Sequence, residues 1–220
     1  MNGLYNVNPP IPKYGHTWEV HKVLAYLKTL GNNEDMHIRD LSLKLTTLIA
    51  LTTACRASEI QNLDPKCMMD KGETLTFQLQ RPTKVSKNGK PLPQISLHQY
   101  KEEVLDPVAC CKTYIQRTGE WRSNKTQQLL LGTVKPHKPI AVPTVSSWLK
   151  ETLHKAGIDT TKFKAHSTRS ACTSTANKAG MSIHEIMQQA NWSHANTFHK
   201  HYHKDTLGSS AEFSATVLDA

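Results

Sequence analysis

Apolar residues recur three and four positions apart in four stretches of this chain, and each stretch predicts a helix. From Thr17, the residues Trp18, Val20, Val23, Leu24 and Leu27 keep helical spacing, and Gly31 closes the helix. A polar turn, G-N-N-E-D, leads to a second helix whose core stripe is Leu41, Leu45, Leu48 and Leu51, running to about Ala54. Asp106-Pro107 starts a third, with proline at the first helical position and Gly119 beyond its end. Val145, Trp148, Leu149 and Leu153 place a fourth over Thr144 to Ala156, closed by Gly157. Between the second and third helices the period changes to two. Leu75, Phe77 and Leu79 alternate as a half-buried strand, Asn88-Gly89 signals a turn, and Gln94 to His98 is the return strand. Ser58 is placed to cap a short helix ending before Pro65, and Gln127 to Leu131 reads as one more short strand.

The stretch from His166 to Tyr202 is patterned differently, with polar and titratable residues at its junctions. His166 and Arg169 are three apart and share a face of a helix or its first turn. Gly180 ends that helix where a left-handed cap is easiest. Ser182-Ile-His-Glu185 is a capping box that opens another. Trp192 follows in a short polar break, and Tyr202 falls within a last helical segment. Residues 1–14 are rich in Asn and Pro without a period and read as an arm or linker; residues 15–205 read as one domain, and 206–220 as a tail that begins loosely and ends apolar. The fold class expected is α+β, mostly helical, with one small antiparallel sheet in the first half.

Composition narrows the partners. Lysine and arginine number 27 against 18 acidic residues, giving a net charge of +9 and a sequence pI near 9.3, which favours a polyanion. The five cysteines are odd in number and form no C-x-x-C pair, which fits a reducing compartment better than a disulfide framework. There is no signal-peptide pattern and no apolar run of about 18 residues, so no membrane partner is expected.

The order Arg56 … Lys84 … His166-x-x-Arg169 … Trp192 … Tyr202 resembles the catalytic domain of the tyrosine recombinases, the phage-integrase family, over about residues 16 to 204. C-R-A-S-E-I resembles the family's first arginine motif, with Glu59 three residues after Arg56. R-P-T-K-V lies on the expected hairpin, where the family keeps its lysine, and H-S-T-R resembles its H-x-x-R box. Trp192 stands where most members have His and some have Trp. The texture of W-E-V-H-K-V-L, T-T-A-C-R-A-S-E-I and A-H-S-T-R-S-A is most similar to recombinases of the DIRS type, carried by eukaryotic mobile elements. Two features depart from the family pattern. The gap from Trp192 to Tyr202 is one residue longer than usual, and these residues leave no room for the N-terminal helical domain that closes the other side of the DNA, so the chain is expected to be a fragment, an excised catalytic domain or a decayed copy.

The resemblance implies cleavage and rejoining of double-stranded DNA through a 3′-phosphotyrosyl link, with self-association on DNA as a dimer or tetramer and a nuclear location if the source is eukaryotic. Tyr202 is implied as the nucleophile, which suits a hydroxyl able to form a covalent intermediate but needs positive charge and a base nearby, because a phenol has a pKa near 10. Arg56 and Arg169 would fork onto non-bridging oxygens and stabilise the charge gathering on phosphorus. His166 would move a proton or hold the phosphate, Lys84 would protonate the departing 5′ oxygen, and Trp192 would donate its indole N–H to the phosphate. Glu59 would orient these groups. Lys87 and Lys90 flank the same turn as Lys84 and are candidates for DNA-backbone contact. No metal or other cofactor is called for, since the arginines do the work a divalent ion does elsewhere. Two other readings compete: a DNA-binding module of the same fold that no longer cuts, and a metal site built from His194, His199, His201 and His203. The second would need that segment to be a strand, because residues two apart diverge on a helix, and neither a Cys pair nor a nearby carboxylate completes it.

Overall fold

The computed structural model describes residues 16–83, 86, 89, 91–122, 128–190 and 205–206. The N-terminal arm, the turn lysines Lys84, Lys87 and Lys90, the segment carrying Trp192, His194, His199, His201, Tyr202 and His203, and the tail beyond Thr206 lie outside the described residues.

The second amphipathic stretch becomes the centre of the molecule. It forms α2 (Ile38–Thr53), after a shorter α1 (Val20–Thr29), and it packs against α4 (Pro107–Arg117), α5 (Val142–Lys155) and α6 (Ser167–Lys178). Its leucine stripe is wider than expected: Leu41, Leu43, Leu45, Leu48 and Ile49 are all buried, together with Ser42, Lys44, Thr46 and Thr47, whereas Leu51 is only half-buried. A helix enclosed by other helices has no solvent face to keep polar. Three of its hydroxyls are satisfied locally, Ser42 Oγ donating to the Ile38 carbonyl, Thr46 Oγ1 to that of Ser42 and Thr53 Oγ1 to that of Ile49, at 2.6–2.7 Å. Lys44 Nζ reaches the Gly31 carbonyl at 3.1 Å, and burial lowers the pKa of this ammonium.

The sheet has three strands rather than two. The alternating pair appears as β3 (Thr74–Gln78) and β4 (Gln94–His98), antiparallel, with Leu75 opposite Leu97 and Phe77 opposite Ile95, and these four side chains are buried. A further strand, β2 (Met68–Asp70), pairs along β3 but carries no buried alternation, so periodicity could not announce it. Gly89 adopts φ 77° in the intervening turn, as an Asn-Gly turn requires. Helix α4 begins as the sequence predicts, with the Asp106 carboxylate accepting the Val108 N–H at 2.8 Å.

Three local expectations are corrected. Thr17 and Trp18 lie outside the first helix: Thr17 belongs with His16 to a short strand, β1 (His16–Thr17), and Glu19 is the helix cap. Arg56, not Ser58, stands at the cap of the short helix α3 (Ala57–Gln61). No strand forms over residues 128–131; Leu131 makes only an isolated bridge to Pro139, and the Leu129 N–H donates to the Leu63 carbonyl. A short strand, β5 (Asp205–Thr206), pairs in parallel with β1, and the tail from Leu207 onward lies outside the described residues. The remaining helix, α7 (Ile183–Gln189), starts at the predicted box: Ser182 Oγ accepts the Glu185 N–H, and Glu185 accepts the Ser182 N–H at 2.9 Å. The α+β class is the fold observed, with seven helices and one small antiparallel sheet among the described residues. Among the described residues no helix is long and apolar enough to cross a membrane.

Candidate active site

Helix α2 ends at Ala54, which adopts the left-handed conformation at φ 52° and ψ 26°. This conformation costs a residue with a Cβ about 1–2 kcal/mol, and here it turns the chain sharply so that Arg56 leaves the helix axis. Arg56 is then fixed by Glu59 at both ends. Its backbone N–H donates to Glu59 Oε2 at 2.7 Å, and its Nη1 donates to Oε1 at 2.8 Å. The Glu59 side chain is 4% exposed and that of Arg56 is 19% exposed, so the carboxylate is the buried partner and the guanidinium keeps an outward edge.

His166 occupies the position before the first residue of α6, with its side chain exposed, and its carbonyl accepts the Arg169 N–H at 3.3 Å. Arg169 is one turn further on and only 2% exposed. Its guanidinium donates to the carbonyl of Ala190, the residue that caps α7 and precedes Trp192 by two positions.

Arg56, His166 and Arg169 line one cavity of about 120 Å³, although Arg56 comes from the α2–α3 junction and the other two from the start of α6, over a hundred residues away. Helix α5 supplies Ser146 to the same wall, and Cys55 and Thr168 complete the polar lining. Ser146 has no signal in the sequence: it sits on an amphipathic helix among ordinary polar positions. Burial pushes the Cys55 thiol, and that of Cys172 nearby, up to about 12, with the Arg169 guanidinium opposing this only in part. Both stay neutral near pH 7, so no thiolate competes here with an incoming anion. The lining residues therefore present two arginines and an imidazole with no acidic side chain among them, and the Glu59 carboxylate bears on the cavity only through its bonds to Arg56. Such a set recognises a tetrahedral oxyanion.

Of the other candidates, Lys84, Lys87, Lys90, Trp192 and Tyr202 lie outside the described residues, as do the four histidines of the metal reading.

The model of the phage integrase family matches residues 18–207, and the chain belongs to that family. Among solved structures, the XerH site-specific recombinase bound to its palindromic difH substrate in a post-cleavage complex superposes with a TM-score of 0.68 at 14% identity, over 94% of this chain and 54% of that one. The Tn1549 transposon integrase in complex with transposon right-end DNA gives 0.62 at 14% identity, over 97% and 68%. A lambda integrase dimer bound to a core site gives 0.57 at 14% identity, over 94% and 66%. The chain thus spans about half the length of the XerH protein, and at these identities the likeness is one of fold. A search of curated protein sequences gives no match.

Proposed function

We propose that this chain is the catalytic part of a tyrosine recombinase that cuts and rejoins double-stranded DNA of a mobile element, without a metal, through Tyr202. The observation that carries the reading is the convergence of Arg56, His166 and Arg169 on one cavity. An arginine from one part of the chain and a histidine and an arginine from another, over a hundred residues away, are kept together there at the cost of ordering them.

A DNA phosphodiester resists attack because its charge repels nucleophiles and its alkoxide leaves poorly. Arg56 and Arg169 would meet the first obstacle by taking the non-bridging oxygens, and such preorganised donors contribute roughly 100- to 1,000-fold each to the rate. Their charge is permanent at any working pH. The Tyr202 oxygen would attack phosphorus as its proton passes to His166 or to water, forming the P–O bond to tyrosine as the bond to the 5′ oxygen breaks. Lys84 would deliver a proton to that oxygen. Trp192 would donate its indole N–H to the phosphate. Rejoining is the same sequence reversed with a new 5′ hydroxyl, so the phosphoryl link conserves the bond energy and no external energy source is needed. Glu59 acts through Arg56, whose orientation it sets. The +9 charge, with Lys87 and Lys90 beside Lys84, supplies non-specific attraction for the duplex. The protein relatives solved on DNA as dimers support self-association of this chain on its site. The resemblance to DIRS-type recombinases supports a nuclear site of action if the source is eukaryotic, and a cytoplasmic one otherwise.

The test is a nicked suicide duplex incubated with the protein in the presence of EDTA, followed by a denaturing gel. A covalent protein–DNA band is the expected result. Binding to the duplex without any covalent band assigns the chain to the non-cutting class, and activity abolished by EDTA and restored by zinc assigns it to the metal reading.

A further inference from the structure

We propose that His16–Trp18 is a strap that positions the site, with Trp18 as its anchor. What the strap positions rests on the recombinase reading above; the strap itself does not.

Three successive residues touch both sides of the candidate site. The Trp18 indole N–H donates to Ser167 Oγ at 2.9 Å, a buried bond between residues 149 apart in the chain. Ser167 is the first residue of α6, next to His166 and two before Arg169, and its hydroxyl in turn donates to the Lys164 carbonyl at 2.7 Å. The hydroxyl is thereby used as both donor and acceptor, and Trp18 fixes the turn that launches the helix. Two residues earlier, the His16 ring meets Phe163 edge-on, with centroids 5.8 Å apart and planes at 77°. On the other side, β1 pairs in parallel with β5, His16 opposite Asp205 and Thr17 opposite Thr206. Asp205 follows the candidate nucleophile Tyr202 by three residues in the sequence.

The strap is therefore one segment held at one end of the H-x-x-R turn and at the chain leaving the tyrosine. A two-residue ladder has little stability of its own. Its pairing with residues 205–206 depends on β1 being held elsewhere, and the buried anchor is Trp18, 4% exposed with its N–H satisfied. Losing that acceptor would leave a buried donor unpaired. Displacing the start of α6 by even an ångström would move Arg169 and His166 relative to Arg56, a misplacement of the size that costs about 100-fold in a reaction that depends on alignment. Trp18 is on this account a positioning residue, not a catalytic one.

Two variants test it, because one of them could perturb packing. Trp18→Phe keeps an aromatic ring and removes the N–H; Ser167→Ala keeps Trp18 and removes the acceptor. Hydrogen exchange on the free protein should show the amides of Ser167, Thr168 and Arg169, which bond to the carbonyls of Lys164, Ala165 and His166, exchanging faster in both variants. The amides of residues 205–206 should speed up with them, while those in the middle of α2 keep the parent rate. On a pre-bound suicide duplex the single-turnover rate of covalent adduct should fall about 10- to 100-fold, with duplex affinity unchanged, and the double variant should be no slower than the slower single. Uniformly faster exchange makes Trp18 a plain core residue and overturns the proposal. So does loosening of α6 without loosening of residues 205–206, or fully additive rate losses. If the parent itself forms no adduct, the recombinase reading fails, and the exchange pattern still decides whether the strap exists.

Discussion

Glu59 holds Arg56 by its backbone N–H and its guanidinium at once, at 2.7 and 2.8 Å, so a single buried carboxylate caps helix α3 and aims a cavity-lining arginine. Glu59→Gln keeps the shape and one good acceptor but removes the charge. The expected result is a loss of about 1–3 kcal/mol of stability, together with a fall in strand cleavage larger than any fall in duplex affinity. Chemical denaturation and single-turnover cleavage measure the two. A variant that loses stability but cleaves at the parent rate would make Glu59 a helix cap only.

The two arginines differ in what their removal does. Arg169 is buried and donates to the Ala190 carbonyl, so Arg169→Ala should lower the melting temperature, whereas Arg56→Ala should lower it less. Lysine is the cleaner replacement, since it keeps the charge and loses the fork. Arg56→Lys and Arg169→Lys should each reduce cleavage by roughly 100- to 1,000-fold while the protein stays folded by circular dichroism. Near-parental rates in both would show that charge alone suffices.

Lys84→Ala should block cleavage of an ordinary phosphodiester and be partly rescued when the 5′ oxygen of the substrate is replaced by sulfur, because a thiolate leaves without a proton. Lys87→Ala and Lys90→Ala should weaken binding modestly and gain nothing from sulfur. Rescue at either of those positions would move the general acid along the hairpin.

Alkaline stability follows from the buried thiols. Cys55, Cys110 and Cys172 are held at about 12 by burial, against 9.0 for an ordinary thiol. Below pH 9 neither the folded nor the unfolded chain ionises them, and they add no pH dependence. Above it the unfolded chain releases protons that the fold retains, so stability falls as pH rises towards 12. Lys44, whose pKa is lowered by burial, works in the opposite sense, while the Cys111 thiol and the Tyr114 phenol, both raised by burial, add to the fall. The melting temperature should be level between pH 7 and about 8.5 and fall clearly by about pH 10. A melt unchanged at about pH 10 would mean that the thiols are not buried as described.

Periodicity and capping chemistry carried most of the fold. The strand Gln94–His98 and the box at Ser182 and Glu185 appear where the alternation and the cap residues put them. What escaped was decided by tertiary context. Nothing local marks Ala54 for a left-handed turn, yet that turn sets Arg56 apart from α2. Trp18 fits the apolar spacing of a helix but is drawn out of it by the buried acceptor on Ser167, far along the chain. Arg56, His166 and Arg169 were singled out by their motifs, while their meeting in one cavity, the double grip of Glu59 and the contribution of Ser146 needed the fold.

The most direct measurement is the identity of the residue bound to DNA. Tyr202 is the only tyrosine after the H-x-x-R box; Tyr5, Tyr14, Tyr26, Tyr100 and Tyr114 all precede it. Adduct formed on a suicide duplex, digested and read by mass spectrometry, should carry its nucleotide remnant on the peptide containing Tyr202. Tyr202→Phe, which removes one oxygen and preserves the ring, should bind the duplex as the parent does and form no adduct. An adduct that persists in Tyr202→Phe, or a remnant mapped to any other residue, would contradict the mechanism.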